Sequence, residues 1–388
     1  MTNQKVLKHP YLHPVSFFMI LEFFKKHVVM TVAMIAATIT SLIVPIDSAY
    51  LEYFDLKTLT CLFCVLAVVC ALKNINFFYI LAQKIVESFK SARMSVLALV
   101  YITFIGSMLI ANDMALLTFL PLGYFVLSSC KKEKYMAFTF IMQNIAANLG
   151  GMLTPFGNPQ NLYLYTKFNI PNLEFMGVML FPFVISLSLI TLFCIIFVKN
   201  ESLVMERSHS TLPAGKCVLY LLMFALAIAI VFRGIPYQIG LIIIPAILIF
   251  ADKKALFDVD YPLLFTFVFF FIFAGNMARI DAVRSVFSWL MDKNALLTST
   301  LSCQFISNVP SSILLSQFTD NWRDLLVGVN IGGVGTLIAS LASLITFSEY
   351  TKHNPDGTKQ YIKSFSIFNF TFLLILIVSM SVLRALGM

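Results

Sequence analysis

Glycines and polar residues recur in the same order within two apolar segments of the chain. The first segment reads Asn148-Leu-Gly-Gly-Met-Leu-Thr154-Pro-Phe-Gly157-Asn158-Pro-Gln-Asn161. The second reads Asn330-Ile-Gly-Gly-Val-Gly-Thr336-Leu-Ile-Ala-Ser340-Leu-Ala-Ser343, so that at one constant offset Thr aligns with Thr and each later Asn aligns with a Ser. Glycine pairs and side-chain amides are costly inside a membrane helix unless the backbone opens there. The repeat therefore predicts two interrupted helices.

An interrupted helix leaves carbonyl groups free where its first half ends and amide N–H groups free where its second half begins. Carbonyl ends attract cations, and amide ends attract anions. Asn158 and Pro159 are typical of a helix start, as N-cap and first helical residue, and Ser340 can cap the second restart in the same way. The alternative is that these residues do nothing but cap. The accompanying glycines, threonines and second amide favour a ligand site at the two breaks.

Two further apolar regions, 94–127 and 295–319, are interrupted by polar residues at Asn112-Asp113 and at Asn308. An Asn side chain offers both an acceptor and donors. Asp113 is the only acidic residue deep within an apolar segment, whereas others such as Glu349 lie at segment ends. An ionisable residue at that depth in a membrane protein usually has a functional role. The alternative is that Asp113 only caps the helix that follows it. If Asp113 lies near a bound anion, it needs a proton or a neighbouring cation.

Composition identifies the class of protein to which these segments belong. Hydrophobic residues make up 59% of the 388 residues and charged residues 12%, and the mean hydropathy is +0.88. Soluble domains carry about 25% charged residues, so the sequence predicts an all-α polytopic membrane protein. The net charge of +8 is typical of basic cytoplasmic loops and is not interpreted as a nucleic-acid signal.

The hydropathy pattern predicts membrane spans near 28–46, 58–72, 135–169, 174–198, 217–233, 236–250, 261–279, 324–346 and 364–386. The spans 135–169 and 324–346 are the interrupted ones. A helix needs about 20 apolar residues to cross a bilayer, and the arms of 295–319 are shorter, so this region is predicted to be a re-entrant hairpin. The longer region 94–127 is either a second re-entrant hairpin or two full crossings.

Lys and Arg are concentrated in alternate loops, which predicts a cytoplasmic N-terminus. In that orientation 28–198 and 236–388 are two repeats of opposite direction, and each contains one hairpin and one interrupted helix. An N-terminal cytoplasmic segment, 1–27, precedes them, and a linker with a connecting helix, 199–235, joins them. Inverted repeats with broken helices are the architecture of secondary transporters, whose binding sites lie where the breaks meet.

At these residues the chain resembles the ion transporter superfamily, which includes arsenite-efflux permeases, sodium/proton antiporters, divalent-anion/sodium symporters and citrate permeases. The run from Thr154 to Asn161 is similar to the T-P-x-G-[TN]-P-x-N loop of the first broken helix in that group. Ser307 and the two hairpin asparagines match its Ser-Asn-Thr hairpin signature, whereas Ala111, Asp113 and Val309 depart from it. The resemblance implies an elevator-type carrier, often dimeric, with substrate between the hairpin tips and the two loops. The departures argue against a dicarboxylate and favour the arsenite or antiporter branches.

We therefore predict a secondary active transporter of a small anion or organic acid, located in the cell membrane and coupled to H⁺ or Na⁺ through Asp113. Sodium/proton antiport and arsenite efflux remain alternatives, and a passive ion channel is the alternative from a different class. No enzymatic activity, cofactor or firm metal site is predicted, because no His or Lys accompanies the deep hydroxyl groups. The predicted partners are the lipid bilayer and the anion, with a homodimer left open. The predicted binding residues are Asn112, Asp113, Thr154, Gly157, Asn158, Asn161, Ser307, Asn308, Thr336, Ser340 and Ser343, with any Na⁺ near Asn112, Asp113 and Asn158.

Overall fold

The computed structural model describes residues 22–25, 27–202 and 211–386. The predicted N-terminal segment 1–27 lies outside the described residues except for 22–25 and 27, and so do residues 203–210 of the predicted linker. The first half contains α1 (Val28–Ile43), α2 (Leu56–Asn74), α3 (Phe77–Val86), α4 (Ala92–Ile110), α5 (Asn112–Ser129), α6 (Met136–Gly150), α7 (Pro159–Lys167) and α8 (Asn172–Phe197). The connecting helix α9 (Ala214–Val231) leads to α10 (Tyr237–Ala251), α11 (Lys253–Phe257), α12 (Tyr261–Ala278), α13 (Asp281–Ile306), α14 (Asn308–Leu315), α15 (Trp322–Ile331), α16 (Leu341–His353) and α17 (Thr358–Ala385).

Within this part of the chain, six helical segments are long and apolar enough to cross a membrane. They are Leu56–Asn74, Ala92–Ile110, Asn172–Phe197, Ala214–Val231, Lys253–Ala278 and Pro355–Ala385. Shorter apolar helices add to them, and the only extended pairing among the described residues is one isolated bridge between Ser91 and Ser202. The prediction of an all-α polytopic membrane protein is therefore confirmed.

In both regions, 94–127 and 295–319, two helical arms are joined at one residue with an unusual backbone. Ala111 has φ 65° and ψ 155°, and Ser307 has φ 73° and ψ 160°. A residue other than glycine in this region costs about 1–3 kcal/mol, so the surrounding structure must hold both turns in place. The next residue begins the second arm in each case, at Asn112 in α5 and at Asn308 in α14. The second hairpin is delimited at its other end by Asn294, whose non-helical backbone (φ −162°, ψ 91°) interrupts α13.

Both interrupted helices are also present, and their breaks fall within the repeated segments. The first break runs from the end of α6 at Gly150, through a short 3-10 turn (Gly151–Leu153), to Asn158. The second break separates α15 from α16 and includes Gly332 and Gly333. Gly150 is required by close packing, because a Cβ there would lie 2.1 Å from the carbonyl oxygen of Phe104 in the hairpin arm α4.

The contacts between helices are reciprocal between the two halves. In each half the first hairpin arm packs on the interrupted helix that follows, as α4 on α6 and α13 on α15. Between halves, hairpin arm α5 packs on α16, and hairpin arm α14 packs on α7. Around this centre α1 packs on α12, and α2 packs on α10. Two hairpins and two broken helices thus form one polar centre, while their direction across the membrane stays a prediction.

Candidate functional site

At the first break, the side chain of Asn161 bonds the carbonyl groups that the end of α6 leaves free. Its Nδ2 lies 3.2 Å from the carbonyl oxygens of both Gly151 and Met152 and 3.3 Å from that of Thr154. Asn161 is fully buried. A buried carbonyl without a donor is costly, so this amide stabilises the open backbone.

At the second break, the side chain of Gln304 in the hairpin arm α13 donates to the free carbonyl groups. Its Nε2 donates to the carbonyl oxygens of Gly332 at 2.9 Å and Val334 at 3.1 Å, and its Oε1 accepts from the backbone N–H of Thr336 at 2.9 Å. The backbone carbonyl of Gln304 also accepts a bond from the Thr336 hydroxyl at 3.0 Å. Gln304 was missed from the sequence, although its place one helical turn before Asn308 in an apolar arm was a usable signal.

The two threonines of the repeat make equivalent contacts. Thr154 Oγ1 donates to the carbonyl oxygen of Met108 at 2.8 Å, as Thr336 does to Gln304. Met108 and Gln304 each lie four residues before their hairpin asparagine. Each threonine therefore fastens its break to the neighbouring hairpin arm. Gly157 is buried beside Thr154, and a Cβ there would lie 2.3 Å from the carbonyl oxygen of Gly151, so no larger residue fits.

Asn158 and Ser340 occupy equivalent positions just before α7 and α16 but use their side chains differently. Ser340 Oγ accepts from the backbone N–H of Ser343 at 3.3 Å, and the two serine hydroxyls share a bond of 3.0 Å. Asn158 is the N-cap of α7 by position and Pro159 is its first residue, as predicted, but the Asn158 side chain makes no capping bond. It instead donates to the carbonyl oxygen of Asn148 at 3.2 Å and to Asn330 Oδ1 at 3.3 Å, because the buried polar groups of the other half lie within reach.

Asn330 connects the two breaks directly. Besides Asn158, its Oδ1 accepts from Gln160 Nε2 at 3.4 Å, and its Nδ2 donates to Asn161 Oδ1 at 2.6 Å. One side chain at the end of α15 thereby holds three residues at the start of α7. Asn330 and Gln160 belong to the segments singled out in the sequence but were not predicted as binding residues.

The hairpin tips meet the breaks at Asn148. Asn112 Nδ2 lies 3.4 Å from Asn148 Oδ1. A Cβ on Gly333 would lie 3.4 Å from that same oxygen and 3.1 Å from Asn308 Nδ2. Both hairpins and both broken helices therefore converge at one place. The Oδ1 atoms of Asn112 and Asn308 accept from the next backbone N–H, so Asn112, and not Asp113, supplies the local bond at the start of α5.

A cavity of about 510 Å³ lies against this centre. Asn112, Pro159, Asn308 and Leu341 line it, and these are the first residues of α5, α7, α14 and α16. Four positively polarised helix starts therefore border one cavity. Among the predicted residues, Asn112, Asp113, Ser307 and Asn308 line the cavity. Asn158, Asn161, Ser340 and Ser343 are buried and do not line it.

The carboxylates of Asp113, Asp260 and Glu349 also line this cavity. No Lys or Arg is among its lining residues in the described part of the chain. Asp260 and Glu349 were missed because each lies near the end of an apolar segment in the sequence. Only the packing of α12 and α16 against the hairpins brings them to the cavity.

Three buried side-chain oxygens at the site have no hydrogen-bond partner among the described residues: Asp113 Oδ1, Asn158 Oδ1 and Gln160 Oε1. An unpaired buried acceptor costs about 1–3 kcal/mol, and such groups in a native protein call for an explanation. All three are acceptors, and they lie in or next to the segments that meet at the breaks. The arrangement is therefore suited to a cation, or to a ligand that donates hydrogen bonds.

Interrupted helices that meet hairpin tips inside a multi-pass helical protein define a secondary transporter. Residues 17–321 match the sequence profile of the citrate-transporter family, so the chain belongs to that family, which is part of the ion transporter superfamily. The chain is 34% identical to uncharacterized transporter MJ0456 of Methanocaldococcus jannaschii over 75% of its own length and 80% of that protein. It is 28% identical to inner membrane protein YbiR of Escherichia coli over 70% of its length and 73% of that protein.

The family assignment fixes the class of function. The chain is a multi-pass membrane transporter that acts in a lipid bilayer on a small anion. The matched region contains the first broken helix and both hairpin tips, and it ends before α15.

Proposed function

We propose that the protein carries a small organic or inorganic anion of the citrate-like kind together with H⁺ or Na⁺, by elevator-type alternating access. The observation that carries this proposal is the convergence of four helix starts on one cavity. Helix N-termini bind anions through free N–H groups and the helix dipole, without any Arg or Lys. The anion then lies between the two hairpin tips, within reach of Asn112, Ser307 and Asn308.

The three carboxylates supply the argument for coupling. Asp113, Asp260 and Glu349 would repel an anion in the same cavity unless protons or cations accompany it. The unpartnered oxygens of Asp113 and Asn158 are suited to receive such a proton or cation. We therefore assign the coupling ion to the first half, close to Asn112, Asp113 and Asn158.

The reciprocal packing supports an elevator. The hairpins and broken helices bond densely to one another, and the pairs α1–α12 and α2–α10 can form the surrounding scaffold. In this proposal the polar centre moves as one body, with the N-terminus cytoplasmic and the protein in the cell membrane.

Counterflow in proteoliposomes tests the function directly. Liposomes loaded with unlabelled citrate, succinate, sulfate or arsenite are diluted into a trace of the same labelled compound. A carrier accumulates label transiently and saturates with concentration, whereas a channel only lets the label equilibrate. Failure of every anion to counterflow would overturn the proposal.

The coupling residue has its own experiment. In Asp113→Asn, exchange of the counterflowing anion should persist, while the dependence of net uptake on the pH or Na⁺ gradient should be lost, because the amide cannot gain or lose a proton. Glu174→Gln, at the end of a span, is the matched control and should keep the wild-type dependence. Unchanged ion dependence in Asp113→Asn would remove this residue from the coupling role.

Sodium/proton antiport is the second candidate, and a specific observation favours it. A cavity with three carboxylates and no lining Lys or Arg among its described residues attracts cations even without an anion. Antiport predicts that a Na⁺ gradient alone moves protons in anion-free liposomes. Proton movement only in the presence of a transported anion would exclude it.

A further inference from the structure

Glu349 and His353 form a pair of titratable groups at the edge of the cavity. His353 Nε2 lies 3.0 Å from Glu349 Oε1, and the two side chains are 19% and 21% exposed. Glu349 lines the same cavity as Asp113. Both residues belong to α16, the helix that restarts after the second break.

The His353 ring is held in place from the other half of the molecule. It stacks on the ring of Tyr124, with ring centres 3.7 Å apart and planes inclined by 15°. Tyr124 belongs to α5, the hairpin arm that begins at Asn112 and carries Asp113. The pair therefore links the second broken helix to the hairpin in which the coupling ion is proposed to bind.

We propose that Glu349 and His353 are the proton-transfer pair through which Asp113 gains and loses its proton, an inference that rests on the proposed function. The imidazolium of His353 gives up its Nε2 proton, the N–H bond breaks, and an O–H bond forms on Glu349. The neutral imidazole then takes a proton from the bulk solution. The carboxyl proton of Glu349 passes across the cavity to the Asp113 carboxylate, and the reverse sequence releases it.

The titratable and charged groups that contact the pair or line its cavity are compatible with this relay. Lys352 on α16 and Tyr124 on α5 contact the pair, and Asp113, Asp260 and His27 line the same cavity. Lys352 Nζ lies 3.7 Å from Glu349 Oε2 and is 68% exposed. A cavity of about 510 Å³ is large enough for several water molecules, each of which needs polar partners such as these carboxylates to remain ordered.

A purely structural role is the competing explanation. An i, i+4 pair on a helix surface stabilises the helix by only a few tenths of a kcal/mol. Structure alone would make substitutions affect exchange and net transport equally. A relay predicts a different result, because exchange of the loaded carrier needs no proton release, whereas net transport does.

The experiment compares these two activities in proteoliposomes with labelled citrate as the probe. For Glu349→Gln we expect net uptake driven by a pH gradient to fall by about tenfold or more, since a positioned acid–base group typically contributes that much or more to proton transfer. Citrate counterflow at equal pH should stay within about twofold of wild type. His353→Asn should show the same split, and Tyr124→Phe, which keeps the stacked ring, should not.

Asp356→Asn is the matched control, because it removes an exposed carboxylate from the turn just after α16 and should leave both activities unchanged. Equal loss of counterflow and net uptake in both Glu349→Gln and His353→Asn would overturn the relay and leave a structural pair. Net uptake by both variants as in wild type would also overturn it. The relay would equally be overturned if the wild-type protein itself showed citrate counterflow but no pH-driven uptake. Absence of citrate counterflow in the wild type would instead refute citrate transport and the relay with it.

Discussion

In each break a side-chain amide donates to free backbone carbonyl groups, but the two amides come from different elements. In the first half the donor is Asn161, which belongs to the restarting helix α7. In the second half it is Gln304, which belongs to the hairpin. The residue equivalent to Asn161 is Ser343, whose backbone N–H donates to the N-cap Ser340 of α16. The residue equivalent to Gln304 is Met108, which has no amide side chain. The chemical need is shared, but each half meets it with a different element.

This difference changes how firmly each hairpin is attached to its own break. The second hairpin is bonded through both ends of the Gln304 amide and through Ser307 and Asn308, which both donate to the carbonyl oxygen of Ala339. The first hairpin is bonded through Thr154 to Met108 and through the longer contact of Asn112 with Asn148. The hairpin that carries Asp113 is therefore held mainly from within the broken helix, where Gln143 of α6 donates to Thr103 Oγ1 at 3.0 Å and to the carbonyl oxygen of Phe119 at 3.1 Å. The second hairpin is instead held mainly at the break itself.

The largest effect should come from the side chain that joins the halves. Asn330→Ala removes the partner of Asn158, Gln160 and Asn161 together, so we expect the free energy of unfolding to fall by about 3 kcal/mol or more and transport to be lost. Asn148→Ala is the matched variant, since it aligns with Asn330 but donates only within its own helix and accepts from Asn112. Unfolding of the detergent-solubilised protein measures the loss of stability, and counterflow in proteoliposomes measures the loss of transport. An equal loss in the two variants would show that the halves are not held asymmetrically.

A second substitution gives the second hairpin the residue type that the first hairpin has at the equivalent position. Gln304→Met places the residue of the first hairpin at the equivalent position of the second, and it leaves the carbonyls of Gly332 and Val334 without donors. We expect a loss of about 2 kcal/mol in unfolding free energy, because the buried carbonyls keep the full cost of desolvation. The reciprocal Met108→Gln tests whether an added amide can be used in the first half. Wild-type stability in Gln304→Met would mean that the second break does not depend on this side chain.

The sequence predicted the positions of the breaks because their causes are local. Glycine pairs and an Asn-Pro step act within a few residues, and the turns at Ala111 and Ser307 lie one residue from the predicted asparagines. The partners of the polar groups could not be predicted, because they depend on tertiary packing. Asn158 has the sequence of a cap, yet its side chain crosses to Asn330. Asp260 and Glu349 become part of the cavity only through the docking of α12 and α16.

Asn158 and Ser340, which lie just before α7 and α16, allow a third comparison with a smaller expected effect. Asn158→Ala removes a bond between the halves, and we expect counterflow to fall by about tenfold, which corresponds to about 1.4 kcal/mol. Ser340→Ala removes a local cap, worth about 1 kcal/mol, and should reduce counterflow about fivefold. Surface labelling in intact cells checks that both variants reach the membrane. Full flux in both would remove these residues from the binding site.

The smallest effect concerns the outer ends of the two broken helices, where the charges are reversed. Glu201, after α8, pairs with Lys132 at 2.7 Å and Lys134 at 2.5 Å just before α6. At the equivalent place in the second half, Arg384 of α17 pairs with Asp324 of α15 at 3.2 Å. The reversal agrees with the predicted orientation, since the lysine cluster would then be cytoplasmic. Exposed pairs of this kind contribute little, so Glu201→Gln and Arg384→Gln should each lower thermal stability only slightly at pH 7.

The contribution of Glu201 and its two lysines to stability can be identified from its pH dependence. The two lysines lower the pKa of Glu201 from its ordinary 4.5 to about 2. Because the pKa is lower in the folded state, the pair stabilises the protein above pH 4.5, and its contribution disappears as the pH falls from 4.5 towards 2. The difference in melting temperature between wild type and Glu201→Gln should therefore shrink over that interval. Glu133→Gln, in the segment that carries the two lysines, is the charge-matched control. A Glu201→Gln difference that stayed constant down to pH 2 would show that the stabilisation has another source.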